Sequence, residues 1–466
     1  MMRYLTSPDK RGRLLARAVS ILFLVAAAVA PMRGQAAVPS AAQDVPAAGQ
    51  GIAITLEEAI RRAEASEPSY AASSAESRAS ALDRSIARAG LLPSVAYNNQ
   101  ALYTQANGLR NQAGQGVGSQ PSPIFIANNA VREYASLGVA NETLGLEQFA
   151  GVRRADASAA RAAAELEIAR RGLVAAVTGM FYGSLAADHK VLVAERGRTE
   201  AAEFSKLTGD REQAREAARA DVVKAQLVEQ QRVRDLEDAR VAAEKARLEL
   251  GVLLFADPRT PYELKTSEDA APLPSREDVD QAAAKNNPEL KSALAALGLG
   301  NADVEAARAA YLPELGLSAS YGIDAPQFAV NGPGGARNLG YSASVTLNIP
   351  VWDWLSTEHK VKQSEIRRDA ARVALTAAQR QLIARLDEAY SEAATARDQL
   401  ASLEASAATA AESLRLTKLR YTGGEATVLE VVDAQSAFVL AENAREDGRV
   451  RYETARADLE TLTGTM

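Results

Sequence analysis

Between Val351 and Thr422 the chain runs for about 70 residues without a proline or a glycine, and an unbroken helix of that length would reach roughly 100 Å. No ordinary globular core is that long, so such a helix must pack lengthwise against others. Within it Leu382, Leu386, Ala389, Ala393, Ala396, Leu400, Leu403, Ala407, Ala410 and Leu414 recur at alternating steps of four and three. That spacing is a heptad seam, and its central alanines let helices approach closely. Alanine also fills other faces, which predicts a second seam. A helix with two seams takes a neighbour on each side, as the wall of a tube requires.

The long helix belongs to a repeat. A shift of 220 carries Pro68 onto Pro288, Ala87-Arg88-Ala89 onto Ala307-Arg308-Ala309, and Leu92-Pro93 onto Leu312-Pro313. Thr55 falls on Ser275, and each is followed three residues later by an acid, Glu58 or Asp278, the pattern of a helix N-cap. Repeat 1 spans 53–255 and repeat 2 spans 275–466, with a Pro- and Asp-rich linker over 256–274 that carries no helical period. Each copy reads as helix, strand, strand, very long helix, turn, helix. In the first copy Gly172, Gly179, Gly183, Gly197 and Gly209 are expected to interrupt the long helix, with its terminal turn at Gly209.

The strands are clearest in the second copy, at about 313–324 and 340–350. Leu315, Leu317, Ala319, Tyr321 and Ile323 alternate with small or polar residues, as do Ala343, Val345, Leu347 and Ile349. Period two over this length fits a tilted strand crossing a bilayer, and equally a half-buried soluble hairpin. The first copy is noisier, with Val95, Tyr97 and Tyr103 in one strand (about 92–105) and Leu137 and Val139 in the other (132–144). Four strands cannot close a barrel, and open edges are not tolerated in hydrocarbon. In a membrane, several chains must therefore donate strands to one barrel.

Several classes of function are excluded. The chain has no cysteine and only two histidines, His189 and His359, which removes disulfides, thiolate metal sites and most triad chemistry. Net charge is −6, so there is no basic footprint for nucleic acid. Aromatics make up 5% of the residues, too few for a sugar cleft, and no carboxylate pair marks a glycosidase. No catalytic residue, cofactor or metal ligand is assigned. Residues 1–37 read as an export signal: Lys10, Arg11, Arg13 and Arg17 precede "AVSILFLVAAAVA", and "MRGQAAV" offers cleavage after Ala36 or Ala37. Residues 38–52 form a linker behind it.

The stretches "ARAAYLPELGLSASY", "LNIPVWDW" and "LRYTGGEATVLEVVDAQSAF", in this two-copy layout, resemble the TolC-like outer-membrane efflux proteins from about Ala53 to Gly464. The resemblance implies a mostly α chain with a membrane β-barrel. Three copies would form a twelve-stranded barrel in the outer membrane, continued by a periplasmic α-helical barrel. It implies a passive conduit of a tripartite efflux or type I secretion system, docked through a periplasmic adaptor onto an inner-membrane pump. Pro93 and Pro313 then mark the switch from periplasmic helix to membrane strand, and Pro350 the switch back. Trp352 and Trp354 are either anchors at the membrane interface or packing at that junction. A soluble periplasmic helical scaffold or adaptor is the alternative.

At the other end, Gly423 and Gly424 end the long helix, and the next helix is expected to start near Ala426. Glu430 and Asp433 lie three apart, hence on one face. The resemblance places them as an acidic ring at the periplasmic constriction, where such rings favour cations. Tyr421 matches a tyrosine that helps hold that tip closed. Its partner arginine is absent, because Ala426 stands there.

Overall fold

A computed structural model describes residues 52–103, 132–265, 272–335 and 337–464. The export signal, most of the linker behind it and the loop after Tyr103 lie outside the described residues. The helices are α1 (Leu56–Ser66), α2 (Pro68–Ala89), α3 (Leu146–Gln213), α4 (Arg219–Leu254), α5 (Arg276–Asn286), α6 (Pro288–Ala309), α7 (Ser356–Thr422) and α8 (Val428–Thr463). The strands are β1 (Ile52–Ile54), β2 (Ser94–Tyr103), β3 (Arg132–Leu144), β4 (Tyr262–Leu264), β5 (Glu314–Ala325) and β6 (Leu339–Asn348).

The local chemistry of the two copies matches element by element. Thr55 caps α1 by accepting from the Glu58 amide, and Ser275 caps α5 by accepting from the Asp278 amide. Pro68 and Pro288 open α2 and α6, where a missing N–H costs nothing. Each of these helices ends in a tightened turn, with Leu92 donating to Ala89 and Leu312 donating to Ala309. Pro93 and Pro313 follow, and the strands β2 and β5 begin at the next residue. The linker between the copies is not featureless: β4 lies in it and pairs in parallel with β1. Ile54, Val177, Phe181, Leu250 and Tyr262 bury together beside that pair.

The other strands form one antiparallel sheet in the order β2-β3-β5-β6. Leu315 pairs with Leu347, Leu317 with Val345, Ala319 with Ala343 and Tyr321 with Tyr341, so these apolar side chains share a face. Val95 and Tyr97 join it through β3. The opposite face carries Asn98, Asn141, Ser318, Ser320, Ser342, Ser344 and Thr346. Leu137 and Val139 lie there too, paired with Gly322 and Ser320. They are therefore not the first copy's share of the apolar face, on which β3 places Leu144, Glu142, Ala140, Gly138 and Ser136. Gly322 sits where β5 closes on β3, and a Cβ there would collide with the Ser136 carbonyl.

The expected seam of α7 is buried or half-buried along its length and packs on α8. Ile366, Val373 and Ile383, on other faces of α7, stay exposed. Helix α3 differs from the sequence expectation. It runs unbroken for 68 residues through those five glycines and Gly151 as well. A glycine inside a helix costs about 1 kcal/mol, but α3 packs along its length on α2, α4, α6 and α8, which outweighs that cost. At Gly197 the Val439 side chain of α8 comes within 3.3 Å of where a Cβ would stand.

Candidate functional site

The two long hairpins turn with the same hydrogen bonds. At the end of α7 the Gly424 amide donates to the Tyr421 carbonyl and the Glu425 amide to the Arg420 carbonyl. At the end of α3 the Arg215 amide donates to Glu212 and the Glu216 amide to Arg211. Both are Schellman turns, which need one residue in left-handed backbone. Gly424 supplies it at φ 78, and Arg215 supplies it at φ 65. The first turn therefore lies at Ala214–Ala218, not at Gly209, because an arginine takes the position that glycine fills in the other copy. A shift of 209 relates the tips, and it carries Arg211 onto Arg420 and Asp221 onto Glu430.

Helix α8 starts at Val428 rather than near Ala426, because Thr427 is its N-cap. The Glu430 amide donates to the Thr427 hydroxyl at 3.3 Å, and the Glu430 carboxylate accepts from the Thr427 amide at 3.3 Å. This capping box fixes the rotamer of Glu430. Arg420 reaches the same carboxylate at 3.4 Å and the Glu425 carbonyl at 3.1 Å. Asp433, one turn on, is exposed and has no hydrogen bond or ion pair among the described residues. The two acids thus share a face but not a state: one is a tethered cap, the other a free carboxylate.

Tyr421 is buried between the hairpins, with Phe204, Ala225, Val428 and Val431 around it. Its ring meets Phe204 edge-on at 5.0 Å, and its hydroxyl donates to Thr208 at 3.3 Å. The Arg211 guanidinium lies 4.9 Å from the ring centre and donates to the Tyr421 carbonyl at 2.5 Å. A carbonyl at a helix C-terminus is otherwise an orphan acceptor carrying partial negative charge, so a cation fits it. Sequence reading found Tyr421 but missed Arg211, Thr208 and Phe204, which lie some 210 residues away in the chain. The repeat was the available signal, since Arg211 is the mate of Arg420.

The far end of the molecule is the sheet, one of whose faces is an exposed apolar surface. Val95 is 78% exposed, Tyr341 86% and Val345 70%. No helix among the described residues is long and apolar enough to cross a membrane. The outer membrane efflux protein family matches residues 279–465. Outer membrane protein OprJ of Pseudomonas aeruginosa is 29% identical over 353 residues, covering 73% of this chain and 72% of OprJ.

The chain is similar to the TolC-like outer-membrane efflux proteins.

Solved channels agree in fold. The Vibrio cholerae outer membrane protein VceC superposes with a TM-score of 0.73 at 15% identity, over 88% of this chain and 96% of VceC. The Campylobacter jejuni CmeC outer membrane channel gives 0.72 at 15% identity, over 88% of this chain and 85% of CmeC. With the family match and the likeness to OprJ, the chain resides in the outer membrane and extends into the periplasm, and the solved proteins that it resembles in fold are channels. Its apolar sheet face is the one suited to lipid, and the Ser-, Thr- and Asn-rich face the one suited to water.

Proposed function

We propose that three copies of this chain close into one passive duct, from the periplasm through the outer membrane. The observation that carries the reading is a set of half-made contacts. The three main contacts between the two copies of the repeat each have a mate that the single chain does not make. Strand β3 pairs with β5, yet β6 and β2 are left as edges. Helix α3 packs on α6 and on α8, yet no comparable contact joins α7 to α2 or to α4. The surfaces that would make those mates are exposed: Leu82 and Ile86 on α2, Leu227 and Val241 on α4, Ile366 and Val373 on α7. A second copy, rotated about a common axis, satisfies all three at once. Such head-to-tail contacts form a ring when the rotation closes. Three copies give twelve strands, an even number within the range of membrane barrels.

The periplasmic mouth is then the double tip. Three copies bring Glu430 and Asp433 together as an acidic ring, in which Asp433 supplies the uncompensated charge and Glu430 is partly neutralised by Arg420. Tyr421 with Arg211 takes the latch position that Ala426 leaves empty, holding α3 to the end of α7. An adaptor that spreads the tips must break the Arg211 contact, and the energy for transport comes from a partner pump. Conductance of the purified oligomer in planar bilayers tests this. Asp433→Ala is expected to lower cation preference more than Glu430→Ala, and Arg211→Ala to raise basal conductance. If Asp433→Ala and Glu430→Ala both leave cation preference and conductance unchanged, the acidic ring is wrong.

A further inference from the structure

The seam that α3 makes with α8 has a counterpart between copies. A shift of 209 runs through both hairpins without a gap, and it lays Val177 and Leu250 of one core on Leu386 and Leu459 of the other. Under it α3 becomes α7 and α4 becomes α8. The seam inside the chain is therefore answered by α7 against α4 of the next copy.

Inside the chain this seam is clasped. The His189 ring lies 2.9 Å from the Glu446 carboxylate, and Lys190 donates to Asp447 at 2.5 Å. Two turns nearer the tip, Gly197 admits the Val439 side chain. Between copies the same places are filled differently. Asp398 stands for His189 and Glu237 for Glu446, so two carboxylates face each other. Gln399 stands for Lys190 and Asp238 for Asp447, while Ser406 and Gln230 stand for Gly197 and Val439. All six are exposed in the single chain. The side chains around them are engaged within it. Arg397 bonds Asp398 at 2.9 Å, Arg451 donates to Gln399 at 2.6 Å, Arg234 to Gln231 at 2.6 Å, and Arg240 to Glu195 of α3 at 2.9 Å.

Toward the sheet the inequality is reversed. There α7 would meet α2 of the next copy, with Ile366, Val373, Leu82 and Ile86 in the places that Ala157, Ala164, Ala302 and Ala306 hold where α3 meets α6. Those four large side chains are 65% to 70% exposed in the single chain. Apolar surface favours association, whereas like charges set opposite each other oppose it. We propose that, in the ring of three copies on which this inference rests, the duct widens between copies. Helix α7 parts from the next copy's α4 and pivots on the apolar contact near the sheet, while α3 and α8 of each chain stay joined from Gly197 toward the sheet. Between Gly197 and the tip the last turns of the two hairpins remain free to part at Arg211.

Two disulfide locks at one height test this, since the chain has no cysteine of its own. Gly197→Cys with Val439→Cys locks the seam inside the chain, and Ser406→Cys with Gln230→Cys locks the seam between copies. Spontaneous openings of the purified oligomer are counted in planar bilayers, oxidised and then reduced. Oxidation of the between-copy lock should lower their frequency by about tenfold, reversibly, and oxidation of the in-chain lock by less than about twofold. An in-chain lock that closes the duct as fully as the between-copy lock overturns the proposal. So does a between-copy lock that leaves the openings unchanged. Asp398→Asn with Glu237→Gln needs no disulfide and should lower the frequency by about twofold, because it removes the facing charges; a rise or no change counts against the proposal. If Ser406→Cys with Gln230→Cys fails to cross-link in an oligomer that runs as a heat-sensitive trimer on gels, the seam falls and the ring stands. If the chain runs only as a monomer, the ring falls with it.

Discussion

The hairpin joining α3 to α4 and the hairpin joining α7 to α8 trace the same backbone with unequal means. The second has glycine in the left-handed position and a threonine–glutamate capping box. The first places Arg215 in the left-handed position, and its N-cap is Ala218, with no side-chain bond. A left-handed non-glycine residue costs about 1 to 2 kcal/mol, and a missing cap about 1 kcal/mol. Backbone topology thus survives repeat divergence where local chemistry does not. The packed seams hold the first turn, whereas the second is also specified locally.

The same contrast appears in buried charge, and it gives the largest expected effect. Glu446 on α8 is buried, accepting from His189 at 2.9 Å and from Arg445 at 2.8 Å. The His189 bond is the main cause, with Arg445 adding to it, that draws the Glu446 carboxyl from 4.5 down to about 2. Its repeat mate, Glu237 on α4, is exposed, on a helix that a neighbouring copy would cover. A depressed carboxyl stabilises the folded state above its unfolded value, and that contribution disappears as pH falls from about 4.5 toward 2. The contribution is roughly 3 kcal/mol at neutral pH. Glu446→Ala should lower unfolding stability by about that much at pH 7, with the gap to the parent closing in acid, whereas Glu237→Ala should cost under about 0.5 kcal/mol. Denaturant unfolding of the detergent-purified protein between pH 7 and pH 3 checks both.

Next comes the paired arginine comparison. Arg211→Ala removes a charged hydrogen bond to the Tyr421 carbonyl and a ring contact, about 2 kcal/mol. Arg420→Ala removes an exposed pair, about 0.5 kcal/mol. Protease nicking at the tips should rise for the first variant and not for the second. Smaller again, Gly424→Ala should cost about 1 kcal/mol, while Arg215→Gly should be neutral or stabilise by a few tenths of a kcal/mol. Smallest, Ala218→Ser should stabilise by about 0.5 kcal/mol. If Ala218→Ser and Arg215→Gly both destabilise, the two tips do not differ in local specification in this way.

What the sequence made legible was whatever repeats or alternates locally. The caps at Thr55 and Ser275, the helix-opening prolines and the apolar face of β5 and β6 all follow from near neighbours in the chain. What it concealed depends on contacts between distant segments. Gly209 looked like a helix stop because a single glycine gives no sign of the four helices that hold α3. Leu137 and Val139 read in isolation as part of an apolar face, although the register of β3 between β2 and β5 puts them on the polar one. Glu430 was legible as an acid at a tip. Its tether to Thr427 depends on where α8 begins, which shifted by two residues. Arg211 was invisible as a partner of Tyr421 because nothing in either segment names the other.

The central claim is that identical copies complete one another. The repeat fixes how: Asn141 of β3 is bonded by Ser318 of β5 at 2.7 Å, and the mates of those positions are Asn348 of β6 and Asn98 of β2. Asn348 of one copy should therefore stand opposite Asn98 of the next, at an antiparallel spacing of about 5 Å that a disulfide spans. The chain has no cysteine of its own, so a variant carrying Asn98→Cys and Asn348→Cys reports only this contact. Mild oxidation of the membrane-inserted protein is predicted to give covalent dimers and then trimers that collapse to monomer on reduction, with neither single variant cross-linking to trimers. A double variant that stays monomeric on the gel under oxidation would contradict the claim.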